Sequence, residues 1–265
     1  KDLLTHTAGV PNVEAPRPHS PLAEVVVLAS QQPLQFEPGS KWSYSNSGIN
    51  TLGRIVEIVS GMAFDDFLEQ RLFKPLGMKN TTFHPTRRQS RRVATSYEKD
   101  KATGRLKAAD IYFFKGDLWD TQRTVYPAGG LFSTAEDVRR FYQMMLNGGT
   151  WNGKRLLSAE AVHELTHTQT GDIKTGFTDG MSWGLGFQVV KEPQGVTRML
   201  SPGTFGHGGA YGTQSWADPE RGVIYILMIQ RKGFPNGDNS DVRNAFQTAA
   251  AALLVNKYTG TQWRA

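Results

Sequence analysis

Apolar residues recur at helical spacing behind Tyr44-Ser45-Asn46. Ile49, Leu52, Ile55, Val56 and Val59 fall on one stripe of a helix. Ser47 or Asn46 is placed to cap its start, and Gly61 stands where a left-handed C-terminal cap is expected. The pattern predicts a buried helix. Upstream, Leu3 and Leu4 end a first helix that Gly9 and Pro11 stop. Pro11, Pro16, Pro18 and Pro21 make the next stretch a loop, Glu24 to Ser30 suits a short helix, and Phe36-Glu37-Pro38-Gly39 is a turn leading to Trp42. Downstream, Phe64, Phe67, Leu68 and Leu72 mark a second helix that ends at Pro75 and Gly77. Residues 84 to 110 are polar and loop-like. Ser133-Thr134-Ala135-Glu136 has the form of a capping box. It opens a helix carrying Val138, Phe141, Tyr142, Met145 and Leu146 and ending at Gly148-Gly149. Ser158 can cap a short helix through Leu165, and loop residues follow to Asp179.

The last third changes character. Trp183 to Val190 reads as one strand and Phe205 to Ala217 as a second. Gly222 to Gln230 is nearly continuous in apolar residues, as in a strand buried on both faces. The turn from Asp218 to Gly222 joins the last two as an antiparallel hairpin. Ser240 or Asn239 then caps a helix through Val255, whose alanines allow close packing on the sheet. Helices, antiparallel strands and a closing helix predict an α+β fold in which residues 1–265 form a single domain with an inserted helical region.

Composition narrows the function classes. Cysteine is absent, which excludes disulfides, thiolate catalysis and cysteine-held metals. No apolar run approaches the roughly 20 residues of a membrane span. The 30 Lys and Arg exceed the 24 Asp and Glu, a balance that permits attraction to anionic polymers without requiring it. Arg87, Arg88, Arg91 and Arg92 could contact phosphates, but no aromatic residue interleaves them, so they read as a solvated face and no nucleic-acid partner is expected.

Two short motifs can carry chemistry. Tyr44 and Asn46, two residues apart, share one face of an extended segment at the mouth of the predicted helix. The other reading is a packed aromatic and a cap. His207-Gly208-Gly209 puts a polar ring beside bare backbone, whose N–H groups can meet an oxyanion. The other reading is a glycine-rich bulge with a surface histidine. His6, between two threonines, reads as a hydrogen-bonded structural histidine. The one Ser-x-x-Lys, Ser96 to Lys99, precedes turn-forming residues and has nothing apolar to bury its lysine, so it reads as a surface loop and not as a nucleophile.

In combination these segments resemble the serine β-lactamase and penicillin-binding-protein superfamily, in its class C-like esterase and peptidase branch. The resemblance rests on Leu3-Leu4-Thr5-His6-Thr7-Ala8-Gly9, Trp42-Ser43-Tyr44-Ser45-Asn46-Ser47-Gly48, Phe73-Lys74-Pro75-Leu76-Gly77-Met78, Pro127-Ala128-Gly129-Gly130-Leu131 and His207-Gly208-Gly209. It implies a β-lactamase-like fold and a serine hydrolase that transfers an acyl group from an ester, amide or β-lactam. It casts Tyr44 as general base, Asn46 and His207 as substrate-binding groups, and the Gly208-Gly209-Ala210 backbone as substrate-binding, with the Ala210 N–H in the oxyanion hole. His207 stands where many β-lactamases have lysine, which argues mildly against β-lactam hydrolysis. The resemblance implies no metal or cofactor, a small-molecule or peptide acyl substrate, and a periplasmic or secreted location. In the family the nucleophilic Ser-x-x-Lys lies upstream of the segment at Leu3. The expectation is therefore that the N-terminal part of the fold is absent and that a missing upstream segment of the same protein supplies the serine. The alternative is a catalytically inactive module that binds or regulates.

Overall fold

Alternation of side chains along the C-terminal strands sets the frame. The computed structural model describes residues 1–15, 19–111 and 117–258; Pro16 and Pro18 of the expected loop lie outside them. Helix α1 (Asp2–Thr5) ends at His6, which takes the left-handed conformation of a C-cap at φ 59°. Helices α1 and α2 (Leu22–Ser30) both pack against α3 (Asn46–Ser60).

Helix α3 forms where its periodicity places it, but two details differ. Its N-cap is Ser45, whose hydroxyl accepts the Gly48 N–H at 3.0 Å, not Asn46 or Ser47. Its buried face is the small, polar one: Ser47, Gly48, Asn50 and Gly53 are buried, while Ile55, Ile58 and Val59 are 46%, 65% and 82% exposed. The cause is a close backbone approach. The Pro127 ring lies where a β-carbon at position 53 would be, and Asn50 Oδ1 accepts the Ala128 N–H at 3.0 Å.

Helix α4 (Phe64–Leu68) runs through a π-helical turn (Glu69–Phe73) into α5 (Lys74–Leu76), which ends at Gly77 with φ 68°. The stretch 84–110 is more ordered than its polarity suggests. It holds α6 (Arg87–Ser90), with a capping box between Thr86 and Gln89, and an antiparallel hairpin of β1 (Tyr97–Lys99) and β2 (Leu106–Ala108). Helix α7 (Ala135–Leu146) is capped by Thr134, which accepts the Asp137 N–H at 3.3 Å. The expected box on Ser133 does not form. Ser133 Oγ meets Thr81 Oγ1 at 2.8 Å, and Glu136 pairs with Arg139 and Arg140. A small hairpin of β3 (Thr150–Trp151) and β4 (Lys154–Arg155) leads to α8 (Ala159–Thr166), capped by Ser158.

Strands β5 (Met181–Trp183), β6 (Gln188–Val190), β7 (Phe205–Gly208), β8 (Gln214–Asp218) and β9 (Val223–Leu227) form a five-stranded antiparallel sheet in chain order. The run 183–190, expected as one strand, is a turn and the arms of a hairpin, broken at Gly184 and Gly186; the run 205–217 likewise folds back between β7 and β8. Strand β9 is only partly buried except at Tyr225, not buried on both faces. The hairpin through Asp218 and Gly222 is as expected.

Register fixes which residues share a face. Val189, Phe205, Ala217 and Ile224 pack against Tyr142, Met144 and Met145 of α7 and against Phe73 and Leu76. Val190, Trp216 and Tyr225 turn the other way, onto Phe246, Ala250 and Leu254 of α9 (Asp241–Tyr258), which Ser240 caps by accepting the Arg243 N–H. The architecture is α+β, an antiparallel sheet packed by helices.

Candidate active site

Along β7 the alternation divides labour. His207 lies on the face of Phe205, toward α7, and Gly206 and Gly208 lie on the opposite face, toward α9. Tyr44 comes to His207 from the far end of the sequence, with ring centroids 5.8 Å apart.

The segment bearing Tyr44 is tied down from several sides. Asn12 Oδ1 accepts the Asn46 N–H at 2.7 Å and the Ser47 N–H at 3.3 Å, and Asn12 Nδ2 donates to the Tyr44 carbonyl at 3.3 Å. Ser47 Oγ accepts the Val13 N–H at 3.0 Å. The Ser45 N–H donates to His6 Nδ1 at 3.2 Å. These bonds satisfy the donors at the start of α3 and fix Tyr44 one residue before the cap.

Aromatic rings surround the pair. His6 lies 4.3 Å from Tyr44 and edge-on to Trp183 at 4.8 Å, Trp42 packs on Trp183 at 5.3 Å, and Trp183 reaches His207 at 5.6 Å. Phe177 closes the group at 5.3 Å from Tyr44 and 5.5 Å from Trp42, held by the Asn236 side-chain amide donating to its carbonyl at 2.6 Å. Burial, and then the neighbouring His207, push the His6 imidazole down to about 3, so it stays neutral at physiological pH. Because Nδ1 accepts, the His6 proton sits on Nε2. His6 is thus the structural histidine expected, but its ring also forms a wall of the site.

Beneath β7 a buried polar network holds the glycines. Asp238 Oδ1 accepts from Gln214 Nε2 at 3.0 Å and Oδ2 from Gln188 Nε2 at 2.9 Å. Gln214 Oε1 accepts the Trp216 indole N–H at 2.8 Å, and Arg243 Nη1 donates to the Asp238 carbonyl at 2.7 Å with its guanidinium over the Trp216 ring. Burial lowers the Arg243 guanidinium from its usual value, and Asp238 opposes that shift. No side chain at Gly208 would fit beside Asp238. After β7, the Gly209 N–H bonds Thr213 O at 2.7 Å and the Gly212 N–H bonds Gly209 O at 2.9 Å. That turn leaves Ala210 exposed, and among the described residues its N–H meets no protein acceptor.

Ser96 does not lie on a surface loop. It is buried at the start of β1, its hydroxyl unbonded, while Lys99 is exposed. Residues three apart on a strand face opposite sides, so this pair lacks the one-turn helical geometry of a serine–lysine dyad. Of the arginine cluster, Arg87 stacks over Trp119 at 5.4 Å and Arg92 bonds Asn80 at 2.9 Å. Phe177 and Asp238 carry no local signature: one sits in a loop and the other in an Asn-Gly-Asp-Asn turn.

Comparison with known proteins places the chain in a family. The chain matches the β-lactamase family model over residues 1–250. It is 28% identical over 277 residues to a protein of Escherichia coli K12 named putative D-alanyl-D-alanine carboxypeptidase, covering 96% of this chain and 62% of the relative. It is 33% identical over 257 residues to an uncharacterized protein of Mycobacterium tuberculosis, covering 87% and 61%. The chain therefore spans about three-fifths of the length of these curated relatives. Among solved structures, EstCE1, described as a hydrolase with promiscuous acyltransferase activity, superposes with a TM-score of 0.73 at 22% identity, covering 94% of this chain and 70% of that one. A family match over nearly the whole chain, on the fold and motifs described above, shows that this protein belongs to the β-lactamase family.

Proposed function

We propose that the protein works as part of a serine hydrolase that transfers an acyl group from an ester, amide or β-lactam, with the nucleophile on an upstream segment. The observation that carries this reading is the meeting of Tyr44 and His207 at 5.8 Å, from opposite ends of the chain, beside a turn with an accessible backbone N–H. Local packing alone does not require that convergence. Tyr44 takes the proton of the attacking serine hydroxyl and passes it to the leaving group. The acyl-enzyme so formed is resolved by water. The Ala210 N–H donates to the developing oxyanion together with the N–H of the serine. Asn46 and His207 orient the substrate. The name of the Escherichia coli relative, putative D-alanyl-D-alanine carboxypeptidase, supports an amide acyl donor.

Several features support an upstream segment. The relatives are longer than this chain. The outer edge of β9 has no strand partner among the described residues, and a groove of about 430 Å³ runs along it beside α9. A cavity of about 410 Å³ opens beside Thr213 and Ser215, on the sheet face that carries His207. On this reading an added strand pairs with β9, the serine-bearing helix fills the cavity, and residues 1–265 belong to one β-lactamase-like domain.

The test is labelling of the intact natural protein with a fluorophosphonate, followed by mapping of the modified residue. A label on a serine upstream of Lys1 is expected. A label on Ser96 overturns the assignment of the site. An intact protein that takes no label but binds acyl compounds is the inactive module.

A further inference from the structure

The last turn of α8 gathers three metal-binding side chains outside the Tyr44–His207 site. His163 lies in the last turn of α8, and His167 is its C-cap with extended backbone. Their rings stack at 4.6 Å with an interplanar angle of 5°. The Glu164 carboxylate joins them, and one ligand atom from each of the three residues lies within 4.8 Å of the others. We infer that His163, Glu164 and His167 form a surface site for a divalent transition-metal ion of the Zn²⁺, Ni²⁺ and Cu²⁺ class.

Hydrogen bonding around the group prepares it for coordination. His167 Nδ1 faces the His163 carbonyl at 3.2 Å. The Gln169 side-chain amide nitrogen lies 3.3 Å from the same Nδ1, so both a carbonyl and an amide hold the ring at that nitrogen. Such contacts restrict the ring's orientation, as the outer partners of metal-binding histidines do. Gln169 Nε2 donates to the Glu164 backbone carbonyl at 3.1 Å and to Glu164 Oε2 at 3.0 Å, fixing the carboxylate beside the rings. The cluster also sits at the C-terminal end of its helix, where the partial negative charge of the carbonyls favours a cation. Two imidazoles and one carboxylate select borderline metals over Mg²⁺ and Ca²⁺, which prefer all-oxygen sites.

The site adjoins the catalytic walls through the backbone. The Leu185 N–H donates to Leu165 O at 3.0 Å and the Gln169 N–H to Trp183 O at 2.8 Å. Trp183 is the residue whose ring lies 5.6 Å from His207. An ion at the end of α8 therefore sits next to residues that are hydrogen-bonded to the segment carrying Trp183.

Titration of the untagged intact natural protein with Zn²⁺ by calorimetry tests this. One site is expected, with no comparable heat from Mg²⁺. The binding should be lost in His163→Ala and in His167→Ala, and weakened about 10–100-fold in Gln169→Ala, as for other groups that orient a ligand. Cu²⁺ should show nitrogen coupling in its electron paramagnetic resonance spectrum that disappears in the double variant. His163 and Glu164 are exposed and His167 is half-buried, and circular dichroism should show the variants folded. Absence of Zn²⁺ binding to the unaltered protein, or equal binding by the double variant, overturns the site.

Discussion

The Asp238 carboxylate occupies the space beneath β7 that a side chain at Gly208 would need. An added β-carbon there would also fall 2.7 Å from Gln214 Nε2, and neither group can yield without breaking the bonds that hold Asp238. Overpacking of this kind costs typically about 1–3 kcal/mol. Gly208→Ala should therefore lower the urea midpoint by a corresponding amount. Gly209→Ala should do much less, since its nearest contact would be Thr213 Cβ at 3.5 Å. Equal effects at the two positions would show that the network does not constrain the motif.

Tyr44→Phe keeps the ring among His6, Trp183 and His207 and removes the hydroxyl. On the proposed mechanism, kcat of the intact protein should fall about 10²–10⁴-fold, the usual contribution of a general acid–base group, with little change in Tm. A near-normal kcat would leave Tyr44 a packing residue only.

His6 makes stability depend on pH. Its ordinary value of 6.5 applies in the unfolded chain, and the folded value is about 3. Between these two pH values the unfolded chain binds a proton that the folded protein does not. Its contribution is thus fully present above about pH 6.5 and declines as the pH falls, by about 1.4 kcal/mol per unit across the window. His6→Asn keeps an acceptor near the Ser45 N–H and removes the titration. Chemical unfolding at several pH values from neutral to mildly acid should show a steeper loss in the unaltered protein than in the variant. Parallel slopes would refute the assignment.

Gly53→Ala sets two effects against each other. Alanine is favoured over glycine in a helix by about 1 kcal/mol. The new methyl group, however, would press into the Pro127 ring, and overpacking costs about 1–3 kcal/mol. The second effect should win, and Tm should fall. A rise in Tm would show that the 127–130 loop is free to move away from α3.

Much of this protein is written locally. The caps on Ser158 and Ser240, the glycine end of α3, the helix through Tyr142 and Met145 and the hairpin at Asp218–Gly222 follow from turn chemistry and period, because each depends on neighbours within a few residues. The residues of the family motifs, Tyr44, Asn46 and the His207-Gly208-Gly209 run, were legible for the same reason: they are short and contiguous. Tertiary structure decided what period does not encode. Ile49 to Val59 form an apolar stripe, yet α3 buries its opposite face, since only Gly53 and Asn50 let the Pro127 loop approach closely enough to bond. The capping box at Ser133 lost to Thr81, which reaches Ser133 from a distant segment. Asp238 reads as a turn residue and becomes the support of β7 because two buried glutamines from neighbouring strands converge on it. The sequence by itself determined which segments are helix, strand and motif. Only folding brought Tyr44, His6 and His207 to one place, because contacts between distant segments depend on how whole faces pack and leave no trace in the order of residues.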